Sequence, residues 1–185
     1  MKRYGFLLLV LCSMMFFYFS PAKAQTPAQA QERRSGHFTL GVDVGPAFGT
    51  IDGTAANIGL SGDYYASDNL SFGPLLQLGF TGDLTQIALS GQLKYTFEVP
   101  PASPFRPNVQ IGLGFINADH DLGSFRGSKN DTSYIVPVGL GFEYKVQAGF
   151  YVSTTALINY TNLDNSDEGH WQNTLNLLFG VRITL

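Results

Sequence analysis

Large apolar residues alternate one by one with small or polar residues in eight successive stretches between His37 and the end of the chain. The stretch VQIGLGF, from Val109 to Phe115, is representative. Successive side chains of a β-strand point to opposite faces, whereas one face of a helix repeats about every 3.6 residues. The period of two therefore predicts eight β-strands, each with one apolar face and one small or polar face, in an all-β fold.

Two kinds of closed eight-stranded barrel fit this alternation, and the bulk of the apolar face decides between them. A soluble, lipocalin-like barrel would enclose that face, whereas a membrane barrel turns it toward lipid. The interior of an eight-stranded barrel is just wide enough to be filled by side chains, and about forty large apolar residues would not fit there. A soluble barrel would also need a charged exterior, but only 14% of the residues are charged. The sequence therefore predicts an eight-stranded antiparallel up-and-down transmembrane β-barrel.

The N-terminus predicts a cleaved signal peptide at 1–24. Two basic residues precede a nearly unbroken apolar run, and an Ala-x-Ala sequence at its end places cleavage after Ala24. Residues 25–36 are polar and without periodicity, so we expect a disordered periplasmic lead-in. The outer-membrane β-barrel then occupies 37–185. An uncleaved inner-membrane anchor is the alternative, but the apolar run is slightly short for a membrane span.

The predicted connections between strands alternate in length. Short connections at 66–69 and 146–148, with a proline-stiffened one at 100–107, define a short-turn end of the barrel. Two long loops at 117–132 and 162–173 define the opposite, long-loop end. This alternation is typical of membrane barrels, which have short periplasmic turns and longer extracellular loops.

Two further features refine the predicted strands. Pro74 and Pro137 fall in mid-strand, where each removes a ladder donor, so we expect local bulges. Aromatic residues gather near strand ends, which predicts the two girdles of a membrane barrel. The short-turn girdle is Tyr64, Tyr95, Phe97, Phe142, Tyr144 and Phe150, and the long-loop girdle is Phe48, Phe80, Phe115, Tyr134 and Tyr160.

Every charged residue inside the eight stretches falls on the small or polar face. These residues are Asp43, Asp63, Lys94, Glu143, Lys145 and Arg182. A slip of one residue in any strand would move its charges to the apolar side. The pattern predicts a lumen charge network with opposite charges paired, because buried charges must be paired to be tolerated. Such a network could line a gated path for protons or ions, but we favour a closed structural plug because small barrels are filled.

Composition excludes several kinds of chemistry. The single cysteine, Cys12, lies in the predicted signal peptide, so the mature chain can form neither a disulfide nor a thiolate metal site. The formal net charge of -3 gives no basic surface for nucleic acid, and we expect none to bind. We predict no cofactor and no catalytic or metal site.

The long-loop end is acidic and holds two histidines. Its acidic residues are Asp52, Asp83, Asp119, Asp121, Asp131, Asp164, Asp167 and Glu168. They could hold divalent cations that bridge lipopolysaccharide phosphates, although we prefer a solvated charged surface. His120 lies in one long loop, and His170 shares the other with Ser166. A Ser–His pair leaves open a lipid A-modifying enzyme, but no Gly-x-Ser-x-Gly motif supports it, and Trp171 is interpreted as an interfacial anchor.

The chain from 37 to 185 resembles the small outer-membrane β-barrel superfamily, which includes OmpA-type, OmpX/Ail-type and PorT-type barrels. The resemblance rests on the eight-strand pattern, on glycine-rich repeats such as QIGLGF and VGLGF, and on the last strand. In that strand, Gly180, Val181, Ile183 and Leu185 are similar to the assembly signal that the barrel assembly machinery recognises. The family usually ends in an aromatic residue, whereas this chain ends in Leu185.

The resemblance implies residence in the bacterial outer membrane. The expected partners are outer-membrane lipid and lipopolysaccharide, together with the barrel assembly machinery during insertion; a surface ligand of the loops is not specified by the sequence. We expect a non-enzymatic protein with a filled polar lumen that serves envelope integrity or surface contact. The alternatives are a narrow pore for small solutes, a lipid A-modifying enzyme and an accessory of a secretion machine.

Overall fold

The computed structural model describes residues 34–50, 53–82, 84–97, 99, 103–121, 128–162 and 172–185. All of these belong to one compact unit, Gln31–Leu185. The predicted signal peptide and most of the predicted lead-in lie outside the described residues.

The described residues form eight β-strands, as the alternation predicts. They are β1 (Phe38–Thr50), β2 (Gly53–Tyr65), β3 (Leu70–Phe80), β4 (Leu84–Thr96), β5 (Phe105–Asp121), β6 (Ser128–Gln147), β7 (Phe150–Thr161) and β8 (Gln172–Thr184). Each strand pairs antiparallel with the next, and β8 pairs with β1 to close the barrel. Within these segments there is no helix long and apolar enough to cross a membrane. The predicted all-β, eight-stranded antiparallel fold is confirmed.

Most of the large apolar side chains of the strands point outward. Leu113 and Phe115 are 67% and 73% exposed, while polar side chains such as Asn176 are buried inside. This is the inverse of a soluble protein, in which large apolar side chains are the most often buried. It matches a barrel whose exterior contacts hydrocarbon and whose closed ladder satisfies the backbone polar groups without water.

The hairpin of β5 and β6 extends further than the sequence predicted. The predicted loop at 117–132 is wrong in extent, because Asn117–Asp121 pairs residue by residue with Ser128–Thr132. The side-chain amide of Asn117 also donates a hydrogen bond of 2.8 Å to the Thr132 hydroxyl. These residues are mostly polar, so their pairing left no apolar alternation to detect.

The predicted bulges at Pro74 and Pro137 are wrong. The register with both neighbouring strands is the same on either side of each proline. In the described ladders, pairing with one neighbour is instead interrupted over two residue pairs at each site, because proline has no N–H to donate. The register shifts recorded in the described strands lie beside turns, at Phe48/Thr50 and at Lys145/Gln147.

Aromatic rings make a collar around the outside of the short-turn end. The ring of Tyr64 lies 4.9 Å from that of Phe38 and 5.5 Å from that of Phe72, and the rings of Phe105 and Tyr144 are 5.0 Å apart. Tilted and edge-to-face pairs of this kind are favourable beyond the area they bury. The collar lies where a headgroup girdle would be required.

Candidate functional site

Five strands place a charged side chain in the short-turn half of the lumen. Each charge is inward-facing and close to the short-turn end of its strand, so the closed barrel brings all five to similar depth. The residues are Asp43 on β1, Asp63 on β2, Lys94 on β4, Glu143 on β6 and Arg182 on β8, and all are buried. The structure thus brings five of the six residues predicted for the lumen charge network together in this part of the lumen.

Arg182 is the centre of this network. Its Nη1 donates to the Ser61 hydroxyl at 2.9 Å and lies 3.3 Å from Asp63 Oδ2. Its Nη2 lies 3.4 Å from Asp43 Oδ2, and its Nε lies 3.6 Å from Glu143 Oε1. One guanidinium on the last strand thus reaches carboxylates on β1, β2 and β6.

Two further contacts complete the pairing of the aspartates. Lys94 Nζ donates to Asp63 Oδ2, so that Asp63 bridges Lys94 and Arg182. The hydroxyl of Ser153, on β7, donates to Asp43 Oδ1 at 2.8 Å. Charge-assisted hydrogen bonds are shorter and stronger than neutral ones, and they compensate part of the cost of burying the ions.

Arg34 is a member of the network that sequence reasoning missed. The sequence predicts that it belongs to the disordered lead-in, but its side chain enters the lumen and is only 2% exposed. Its Nη1 donates to Glu143 Oε2 at 2.9 Å and to the Tyr65 hydroxyl at 2.6 Å. Burial alone would lower the pKa of the Arg34 guanidinium, but the Glu143 carboxylate raises it, so the pKa lies above its usual value and the group stays charged.

Lys145 is the predicted member that lies outside the buried cluster. It faces inward, as its position in the alternation requires, but it is half-buried at the short-turn rim, beside the register shift that ends β6. With Arg34 in its place, the described buried cluster pairs the carboxylates Asp43, Asp63 and Glu143 with the cations Arg34, Lys94 and Arg182. The buried charges therefore balance.

A layer of side-chain amides lies beyond the charges, toward the long-loop end. Asn57 Nδ2 donates to Asn176 Oδ1 at 3.0 Å. Asn159 Nδ2 and Asn176 Nδ2 both donate to Gln77 Oε1, at 3.0 and 3.3 Å. The sequence placed these residues on the inner face but gave no sign of which would bond, because each comes from a different strand.

Apolar side chains also face the lumen. Small and branched apolar residues pack together beyond the amides, namely Ala88, Ile116, Ala118 and Ile135. A cavity of about 10 Å³ beside the charge network has room for about one water molecule. Over the described residues, the interior is a packed sequence of ionic, amide and apolar layers.

The long-loop candidates are largely outside the described part of the chain. The side chains of His120, Ser166, His170 and Trp171 lie outside the described residues. So do most side chains of the acidic set, of which Asp119 and Asp131 are described. Among the side chains that are described, no group of His, Cys, Asp or Glu is arranged to hold a metal ion.

A closed barrel with an apolar exterior and a packed polar interior defines an integral β-barrel membrane protein. The chain matches the family model for the outer membrane protein beta-barrel domain over residues 11–182, and it belongs to that family. It is a protein of the bacterial outer membrane. A search of curated protein sequences found no significant match.

Solved structures of small outer-membrane barrels have the same fold. Neisserial surface protein A is similar with a TM-score of 0.65 and 19% identity, over 82% of this chain and 98% of that one. The N-terminal barrel of Pseudomonas aeruginosa OprF has a TM-score of 0.62 and 17% identity, over 82% and 98%. Ail of Yersinia pestis has a TM-score of 0.55 and 13% identity, over 82% and 99%. At these identities the similarity concerns the fold.

Proposed function

We propose that this protein is a non-enzymatic, closed outer-membrane barrel that holds its surface loops outside the cell and serves envelope integrity or surface contact. The observation that supports the proposal most is the network of paired, buried charges in the short-turn half of the lumen. A permeating ion would have to separate paired buried charges such as Arg182 and Asp43, which lie 3.4 Å apart. Breaking a buried ion pair costs several kcal/mol, so the network opposes conduction.

The orientation follows from the lengths of the connections. Membrane barrels turn their short connections to the periplasm and their longer ones outward. The β5–β6 hairpin, which extends well past the other strands, then projects from the cell surface. Such a paired hairpin can support surface contact, which favours a role in recognition or envelope structure over transport.

The last strand supports an interaction with the barrel assembly machinery. Val181, Ile183 and Leu185 all point outward, and Gly180 faces inward against the β1 backbone at Val42. Before β8 pairs with its neighbours, the same alternation would present one continuous apolar face to an assembly factor. Once the barrel is folded in the membrane, its outward side chains would contact lipid and lipopolysaccharide.

The purified protein is expected to form no steady channel in a planar bilayer. A lumen closed by paired charges, as we propose, has no continuous water-filled path, so insertion should add only rare, short-lived current steps to the baseline. The measurement is single-channel recording, with insertion verified in the same preparation by the slower migration that a heated barrel shows in a denaturing gel. Long-lived open steps of uniform conductance in most insertions would favour the pore instead.

A further inference from the structure

The residues just before β1 form a strap across the short-turn mouth of the barrel. The Gly36 amide donates to the Tyr65 carbonyl at 2.8 Å, and the Tyr65 amide donates to the His37 carbonyl at 3.0 Å. The amides of Arg34 and Ser35 both donate to Asp68 Oδ1, at 2.9 and 3.0 Å. The strap, residues 34–37, is thus fastened to β2 and to the turn that follows it.

Gly36 directs the strap into the mouth. Its φ of +85° lies in the left-handed region, which residues with a Cβ rarely adopt. The chain turns sharply there, and the Arg34 side chain enters the lumen instead of continuing the line of β1. The local backbone is therefore built to deliver this one guanidinium.

The guanidinium of Arg34 lies in a box of two tyrosine rings and a carboxylate. Its Cζ is 4.2 Å from the centre of the Tyr151 ring and 4.9 Å from that of Tyr65. Glu143 Oε2 accepts its hydrogen bond at 2.9 Å, while Arg34 Nε and Nη2 have no hydrogen-bond partner in the described structure. Aromatic faces attract cations electrostatically, and they hold a planar guanidinium better than a compact ammonium.

We infer that Tyr65, Tyr151 and Glu143 form a guanidinium-binding site whose built-in occupant is Arg34, carried there by the strap of residues 34–37. The three box residues come from β2, β7 and β6, and none belongs to the strap. The barrel therefore builds the site without the strap. A guanidinium supplied from outside can therefore take the place of Arg34 when that side chain is absent. This inference goes beyond the proposed function and does not depend on it.

The charge balance favours recapture of a cation. Without Arg34, the described buried cluster keeps Asp43, Asp63 and Glu143 against Lys94 and Arg182. Glu143 is fully buried, and a buried charge that has lost a partner is strongly destabilising. The buried charges around the empty box then have one uncompensated negative charge, which a small organic cation can neutralise, while the half-exposed Arg106 lies further out, 5.4 Å from the Tyr151 ring.

The test is chemical rescue of the full-length Arg34→Ala variant in detergent. Heating should abolish its barrel form at a temperature about 5–15 °C below that of the wild type. Ethylguanidinium at about 1–50 mM should restore at least half of that loss, since a ligand of the folded state stabilises it by mass action. Ethylammonium should restore clearly less. The inference would be overturned if Arg34→Ala were as heat-stable as the wild type, or if both cations rescued it equally.

Two further variants control the experiment. Arg106→Ala removes a half-exposed arginine whose guanidinium lies 5.4 Å from the same Tyr151 ring, but it leaves the box occupied, so ethylguanidinium should give no rescue. In Arg34→Ala/Tyr151→Leu the box has lost a wall, and rescue should disappear. Rescue that persists there would contradict the site.

If Arg34→Ala does not fold, ethylguanidinium present during folding into lipid vesicles should raise the folded yield. An unchanged yield would overturn the inference.

Discussion

Replacing Glu143 by glutamine is expected to destabilise the folded barrel by about 3–5 kcal/mol. Glu143 is only 1% exposed, and its carboxylate pairs with Arg34 at 2.9 Å and with Arg182 at 3.6 Å. Glutamine keeps the shape of the side chain but removes the charge, so the lumen is left with an uncompensated buried cation. The measurement is equilibrium urea unfolding in lipid vesicles, followed by the fluorescence of the single tryptophan.

Asp119→Asn is the matched control for this variant. Asp119 lies on the extended part of β5, and its side chain is exposed. The same loss of a carboxylate charge there should change the unfolding free energy by less than about 0.5 kcal/mol. Equal effects at the two positions would mean that the buried network contributes nothing specific.

The double variant Arg34→Gln/Glu143→Gln separates pairing from packing. It removes one charge of each sign and returns the buried cluster to neutrality. We expect it to be more stable than Glu143→Gln alone, with a coupling of about 1–3 kcal/mol between the two positions. Simple additivity of the two single effects would contradict a direct ion pair.

Gly73→Ala is expected to cost at least about 3 kcal/mol or to prevent assembly. A Cβ at Gly73 would collide with the backbone carbonyl of Gly62 and approach the backbone of Asp63, both on β2. The close approach occurs where Pro74 interrupts the pairing of β2 with β3. Backbone atoms cannot rotate away as a side chain can, so the two strands would have to separate. Folded yield and urea unfolding in vesicles both measure the effect.

Gly59→Ala is the control for steric bulk in the lumen. Gly59 also faces inward on β2, but a Cβ there would meet its nearest neighbours at 3.6–3.8 Å, which is ordinary contact. We expect a change within about 1 kcal/mol. If alanine were tolerated equally at both glycines, the strands would not be as close at Gly73 as the structure has them.

The fold and the inward or outward direction of the residues in the eight predicted stretches could be predicted because lipid imposes one rule on every strand. If β1 or β4 slipped by one residue, Asp43 or Lys94 would face hydrocarbon. The alternation in the sequence therefore determines which face of each strand points inward. Lys145 shows the limit of that rule. The alternation predicts correctly that Lys145 faces the lumen. A period of two does not give the depth of a residue along the barrel axis, however, and Lys145 lies at the rim.

Arg34 could not be predicted from periodicity, because it precedes the first strand and its partner Glu143 is 109 residues further along the chain. A signal was present in the charge count. Once Lys145 is placed at the rim, the buried members of the predicted network are three carboxylates and two cations, so a further cation is expected near them. The paired part of 117–132 was missed for a different reason, since strands outside the hydrocarbon need no apolar face.

The most direct test of the account compares leucines on the two faces of the barrel. Leu113 and Leu140 point outward, while Leu157 and Leu178 are buried in the lumen. In the unmodified protein in lipid nanodiscs, NMR should detect magnetisation transfer from lipid acyl chains to the methyl groups of Leu113 and Leu140 and none to those of Leu157 and Leu178. Transfer to the second pair and not to the first would mean that the apolar faces line the interior, and it would contradict the account.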